Sequence, residues 1–491
     1  MAVEAGQIDK NIEIKLLINF SIEKVSNLPH HVCSILNGQY KDIINSELPA
    51  FIKAISNDDS IKEIVDNSIS ETDTHLSWFC VGIASLLYFA QCNWTGPHID
   101  KDIEWLKTRR DEALRDLSLH DECNINVQKP ELLYLSKKIF SNNNLQLKYE
   151  SCIWWLFRAN LLHQHILDET SGVIFEETEH IISQINNLGI LKDPLYKLLF
   201  NLESARFYLC YRRTQNSEEY LENAQSIAGL TLNLEGAMGK RTKYQQEEKA
   251  QLYLKVEMNK DIFPSMDCED IPKSLNLNDE LRLERIEFSE YKEEIQLVNS
   301  VQLQTCQPKH KLTDEEIILY LTKIIENTKN WSLKMTSLCC RCSLESDDKR
   351  TVERSMMQTE SLLKDCNDAT APVARRMDLF FASGMKPIWT LEENWANLMF
   401  SLGLVKGALE VFIKLGLWKD VIICYSVLNL KHKAAEIIQQ EISKKPTIML
   451  WCLLGDVTED VNHYETAWRL SEEKSSRVQR HWGFYYFTKK D

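Results

Sequence analysis

Apolar residues recur every three or four positions through nearly the whole chain, and no other feature constrains its fold as strongly. Residues 148–170 read KYESCIWWLFRANLLHQHILDET, where Trp154, Trp155, Phe157, Leu161, Leu162 and Ile166 form a wide apolar stripe. A further helix is predicted at 173–188, and a helical pair at 194–212 and 217–228, split by the polar turn Arg213-Thr214-Gln215-Asn216. Thr313 with Glu316 reads as a capping box, with Ile317, Ile318, Leu321, Ile324 and Ile325 as the buried stripe behind it. Turn formers are correspondingly scarce. The 15 Gly and 11 Pro among 491 residues are less than half of average usage, about 7% and 5%. A many-stranded sandwich or barrel needs more of them, so the expected class is all-α.

The periodicity weakens between residues 258 and 312, where Pro264, Pro272 and Pro308 stand among many acids, and a second break surrounds Asn367-Asp368 and Pro372. The expected organisation is an N-terminal helical domain of degenerate hairpins at 1–257, an acidic linker or insertion at 258–312, a helical segment at 313–388 and repeats at 389–491.

Lys and Arg number 57 against 72 Asp and Glu, a formal net charge of −15. Such a surface repels phosphates, so direct nucleic-acid binding is not expected. The opening residues, MAVEAGQIDKNIEIKLLINF, carry acids early and lack a sustained apolar core, unlike a secretory signal. With 14 mostly scattered cysteines, this points to reduced thiols in the cytoplasm, or in the nucleus as well. The sequons at Asn19, Asn93 and Asn330 are then not expected to carry glycans. Leu76 to Pro97 holds no charge and is long enough to span a bilayer. Its Ser77, Ser85, Gln91, Asn93 and Thr95, without a basic flank, favour a helix buried among other helices. No membrane partner is expected.

Patterns that carry chemistry are sparse. Cys339-Cys340-Arg341-Cys342 has no second cysteine pair nearby to complete a zinc site and reads as a helical face with buried thiols. His163 and His165 are two apart and point to different sides of a helix. His165 with Asp168 and Glu169 has ligand-like spacing, so a metal or enzyme site in the N-terminal helical half is the alternative reading. Gly236-Ala237-Met238-Gly239-Lys240-Arg241-Thr242 departs from a phosphate loop in spacing and in the residue after Lys, and reads as a helix-to-helix turn. No cofactor, metal or small-molecule substrate is expected. Trp154, Trp155, Trp395, Trp451, Trp468 and Trp482 all fall in helical patterns as interlocking core.

A tetratricopeptide unit packs two antiparallel helices into about 34 residues. Small residues occur where the helices cross and large ones fill the space beside them. A register from Trp389 places Trp395, Ala396, Met399, Ala408 and Phe412 at the packing positions, with Gly403 in the turn. A second from Leu415 places Ile422, Tyr425, Ala434, Ile438 and Pro446, the last as helix terminator. A third from Ile448 places Trp451, Leu454, Gly455, Tyr464 and Ala467, and a fourth from Ser476 places Trp482, Gly483 and Tyr486. Upstream, Leu198, Ala205, Tyr208, Leu221 and Ala224 give a degenerate version that an ordinary helical hairpin would also satisfy. The expected architecture is an α-solenoid of helical hairpins, with tetratricopeptide-like repeats in its C-terminal part.

Several stretches carry a more specific likeness. They are Cys92-Asn93-Trp94-Thr95-Gly96-Pro97, Trp154-Trp155 with His163-Gln164-His165, Leu234 to Thr242, Val352-Glu353-Arg354 with Gln358-Thr359, Trp418 to Tyr425, Leu453 to Val457, Ala467-Trp468 and Arg477 to Arg480. In these segments, taken in order, the chain resembles the tetratricopeptide repeat protein 27 family. The resemblance implies an all-helical scaffold without known catalytic residues that binds other proteins. It further implies a chaperone-associated adaptor linked to assembly of spliceosomal ribonucleoprotein. Family members continue into more regular repeats, so the chain is expected to be a fragment relative to them.

Overall fold

The structure is a computed structural model that describes residues 13, 16–18, 28–52, 61–69, 75–97, 103–119, 123–239, 244, 246–258, 270–275, 311–444 and 446–489. Most of residues 1–20 and of residues 258–312, the expected linker or insertion, lies outside the described residues. Among the described residues, ten helices of seven or more residues precede two strands: α1 (His30–Leu36), α2 (Tyr40–Ile52), α3 (Ile61–Ser68), α4 (His75–Ala90), α5 (Arg110–Ser118), α6 (Pro130–Phe140), α7 (Cys152–Ile166), α8 (Gly172–Ile185), α9 (Pro194–Cys210) and α10 (Thr214–Ala228). Then come β1 (Leu230–Gly239), β2 (Lys249–Met258), α11 (Lys311–Asn327), α12 (Trp331–Leu344) and α13 (Val352–Asn367). The remaining long helices are α14 (Ile388–Ser401), α15 (Val405–Leu415), α16 (Trp418–Val427), α17 (Lys431–Lys444), α18 (Ile448–Thr458), α19 (Val461–Leu470) and α20 (Ser476–Lys489). The all-α class holds. By contacts the chain divides into a first unit, Met1–Glu345 with Met357–Leu391, and a second, Ser346–Met356 with Glu392–Asp491.

In the first unit α4 explains the charge-free stretch. Fourteen of its 16 residues, from His75 to Ala90, are buried. Together with the turn that follows it, the helical stretch His75–Thr95 is long and apolar enough to cross a membrane, yet 89% of its most apolar part is buried within the protein. A helix apolar on every side belongs in the middle of a bundle as readily as in lipid. It continues as a π-helical turn over Gln91–Thr95 and ends at Gly96, whose φ of 61° lies in the left-handed region. A Cβ at Gly96 would collide with the carbonyl of Cys366, so only glycine fits. Asn93, on one of the sequons, is buried, donating to the carbonyls of Phe89 and Gln128 and accepting from the Gln128 amide.

Helix α7 is buried nearly all round, and not along one stripe: Cys152, Trp154 to Gln164 and Ile166 are all inside. Its charge sits in a closed pair. Arg158 lies 2.7 Å from Glu203 on α9, both at most 3% exposed. Trp154 Nε1 donates to the same carboxylate at 2.8 Å, and Arg158 also reaches the Leu17 carbonyl. Aromatic faces of Trp155 and Phe381 flank the guanidinium. Such a pair survives burial because its partners satisfy the charges in place of water.

Three local expectations are corrected. The segment from Gly236 to Gly239 lies on β1, antiparallel to β2 with Leu230 opposite Met258 and Gly236 opposite Leu252, where a helix-to-helix turn was expected. The alternation Leu230, Leu232, Leu234 has a period of two, which a helical reading overlooks. Lys240, Arg241 and Thr242 lie outside the described residues. Helix α10 starts at Thr214, so the turn before it is Tyr211–Arg213. Helix α11 starts at Lys311, which puts Thr313 within the first turn and not at the cap. The cap signature is real at α12, where the Asn330 side chain accepts from the Leu333 amide at 3.0 Å.

Arg376 closes the first unit. It is 0% exposed. Its Nε donates to Ala371 O at 3.1 Å, and its Nη1 to the carbonyls of Thr95, Asp365 and Cys366 at 2.8, 3.1 and 3.2 Å. Nη2 donates to Asp368 O, and the guanidinium stacks over Trp331. Three of these carbonyls belong to the end of α13 or just beyond it, where a helix presents unsatisfied acceptors and a negative pole.

Candidate protein-binding surface

The second unit is a succession of helical hairpins. First helices α14, α16, α18 and α20 start at residues 388, 418, 448 and 476, steps of 30, 30 and 28. Second helices α15, α17 and α19 alternate with them. From α15 onward each helix packs on the next, and α18 also packs beside α16 and α20; α14 meets α15 through the cluster of Ala396, Met399, Ala408 and Phe412. The register from Leu415 is corrected here: Leu415 is the last residue of α15, and the helix it was meant to open begins at Trp418.

Small residues sit at the crossings. Ala396 on α14 and Ala408 on α15 are buried together with Met399 and Phe412, and Tyr425 and Ala434 belong to the same cluster. Ile438 packs with Leu450, Leu453 and Leu454, and half-buried Trp451 lies against them. Cys452, Ala467 and Val478 make a third cluster beside Trp468 and Trp482. Gly455 is required by a close approach, since a Cβ there would lie 2.7 Å from the Tyr464 ring. Pro446 is exposed between α17 and α18, where its missing N–H costs nothing. Gly483 is a correction: it is exposed, and nothing lies within 4 Å of where its Cβ would be. Its small size serves no helix approach among the described residues.

Polar groups lock the hairpins in register. Asp456 on α18 accepts from Tyr464 on α19 at 2.8 Å and pairs with His481 Nδ1 on α20 at 2.8 Å. Burial and that carboxylate push the Tyr464 phenol well above its ordinary range. Glu392 on α14 pairs with Lys414 on α15 at 2.8 Å. The periodicity argument missed these groups. The adjacency of Asp456 to a crossing glycine was the available signal.

Two features face outward. Ile423 and Val427, four residues apart on α16, are 50% and 55% exposed, and Phe484 and Phe487 on α20 are 64% and 79% exposed. Glu393 on α14 and Asp420 on α16 are half-buried acids. Burial raises both pKa values, and the Asp420 charge raises that of Glu393 further. Apolar side chains in water beside partly dehydrated acids form a surface that gains from being covered by a protein with apolar and basic groups.

The residues of the alternative reading do not converge. His163 is buried, with Nε2 2.8 Å from Leu117 O and Nδ1 2.9 Å from Lys137 Nζ. Burial and the Lys137 charge push its pKa down to about 3, so the ring is neutral. His165 points elsewhere, with Nε2 3.7 Å from Cys210 Sγ, and burial, then Lys386, likewise pushes it down to about 3. Asp168 accepts from Asn124, and the Glu169 backbone carbonyl accepts from Gln164. Cys342 is buried and Cys339 and Cys340 half-buried on α12, and burial raises the Cys339 and Cys340 thiols. Among the described residues no three potential ligands gather around one point, and no disulfide is present.

No protein-family model matches the chain, and no solved structure does. Curated proteins do. The chain is 28% identical over 485 residues to a TPR repeat-containing protein of Schizosaccharomyces pombe, an alignment covering 83% of this chain and 59% of that protein. It is 25% identical over 504 residues to the Tetratricopeptide repeat protein 27 homolog of Dictyostelium discoideum, covering 91% and 57%. A Tetratricopeptide repeat-containing protein of Caenorhabditis elegans is 29% identical over 349 residues, covering 66% and 45%. The similarity thus runs over most of this chain, which spans less than two thirds of the length of these relatives.

Proposed function

We propose that the chain is a non-catalytic helical-repeat scaffold that binds other proteins. The observation that carries this reading is the uninterrupted series of close-packed hairpins from α14 to α20, with Ala396, Ala408, Ala434, Gly455 and Ala467 at the helix crossings. Stacked hairpins present aligned first helices, and a partner segment can lie across several of them at once. The names of the relatives point the same way. The finer reading is a chaperone-linked assembly factor for spliceosomal ribonucleoprotein complexes, working in the cytoplasm and nucleus, and it rests on the family resemblance alone. The 258–312 segment is read as a linker or insertion, and the four-part organisation of the chain belongs to the same proposal.

Affinity purification of the tagged chain from cells, beside an Ile423→Asp/Val427→Asp variant, tests it. Protein partners retained by the parent and lost by the folded variant are expected. An identical set from both would remove the α16 surface from the reading. Absence of spliceosomal ribonucleoprotein subunits would end the finer proposal, and turnover of a small metabolite by the purified chain would end the broader one.

A further inference from the structure

Between β2 and α11 the structure describes one short piece of chain. Residues Asp270 to Leu275, reading DIPKSL, lie in irregular extended chain against α12 and α13. The grip is mostly on the backbone. Gln358, 0% exposed on α13, uses both ends of its amide: Oε1 accepts from the Leu275 N–H at 2.6 Å and Nε2 donates to the Lys273 carbonyl at 3.0 Å. Arg341 on α12 adds a charged fork, its Nη2 lying 3.2 Å from both Leu275 O and Ser274 Oγ and 3.4 Å from Gln358 Oε1. Pro272 is buried. Lys273 lies on the side of Asp365 of α13, whose charge it favours. Ile271, Ser274 and Leu275 remain half-exposed.

We propose that this face of α12 and α13 is a binding site for an extended, proline-containing peptide of a partner protein, occupied in cis by residues 270–275. An amide that pairs with one N–H and one C=O of a passing chain does to it what a neighbouring strand does, and it accepts many sequences. Each of these hydrogen bonds replaces one to water and so contributes only modestly to holding the segment. Because the cis peptide belongs to the same chain, it competes intramolecularly, and a partner must overcome that advantage. The site lies in the first unit and does not depend on the hairpin series, so its failure would leave the scaffold reading standing.

The test uses the full chain and a fluorescein-labelled hexapeptide of residues 270–275 with blocked ends. One variant replaces 270–275 by alternating Gly and Ser. A second, Leu275→Pro, removes the N–H that Gln358 reads, together with the half-exposed leucine side chain. The expected result is saturable binding to both variants, at least tenfold weaker binding to the intact chain, and none when Gln358→Leu is added. Circular dichroism reports whether each variant keeps the parent's helicity, and Leu275→Pro carries the test if the larger replacement does not. No saturable binding to a folded variant, equal binding with Gln358→Leu, or loss of fold in both variants would overturn the proposal; the last would make the segment part of the core.

Discussion

At the scale of single residues, the first unit depends on charged groups placed where sequence patterns give no hint of them. Arg376 is the clearest. Replacing it by Leu would leave the buried carbonyls of Thr95, Ala371 and Cys366 without this donor, along with those of half-buried Asp365 and exposed Asp368. Unmet buried acceptors each cost on the order of 1 kcal/mol or more, so Arg376→Leu is expected to cost about 3–5 kcal/mol, read as a lower urea midpoint. An unchanged midpoint would mean that water takes over the role. Asp378 gives a pH dependence. Burial pushes its pKa up to about 8, against the opposing pull of Arg375, 3.4 Å away. The folded chain therefore keeps a proton that the unfolded chain releases near pH 4, and this group's contribution to stability, full at low pH, is lost as pH rises from about 4 to 8. Comparing denaturation midpoints across that range, the parent should lose stability relative to Asp378→Asn as pH rises. Parallel curves would show that the carboxyl is ionised in the fold.

At the scale of elements, two glycines that look alike in the repeat register behave oppositely. The Gly455 site faces the Tyr464 ring, and that ring cannot retreat without releasing its bond to Asp456. Gly455→Ala should therefore cost about 1–3 kcal/mol by overpacking. Gly483 has open space around it on an exposed helix, so Gly483→Ala should gain about 0.5–1 kcal/mol from helix propensity. Thermal or chemical denaturation of the pair settles both, and a loss at Gly483 would mean that a neighbour covers it in solution. The helices of the hairpins were legible because their apolar residues follow the helical period and their small residues mark the crossings. The β1–β2 hairpin was not, because Leu230, Leu232 and Leu234 sit in a chain otherwise dominated by helix. The α16 boundary was misplaced for a related reason: Leu415 suits the end of one helix as well as the start of the next.

At the scale of the whole molecule, the tryptophans fall into two burial classes. Trp78, Trp94, Trp154, Trp155 and Trp331, all in the first unit, are fully buried, whereas Trp105 and Trp389 of the same unit and Trp395, Trp418, Trp451, Trp468 and Trp482 of the second are only half-buried. Acrylamide quenching should resolve a protected and an accessible class; uniform quenching would contradict this burial pattern. What the residue order determined by itself was the helical class and most of the helices, since helix formation depends on neighbours three and four positions away. The small-residue crossings followed from the same local pattern. Which charges go inside was decided only by tertiary structure. Glu203 is 45 residues from Arg158, and Thr95 is 281 from Arg376. The cost of taking a charge out of water is met only by partners that the folded chain brings to it, and spacing along the sequence carries no record of them.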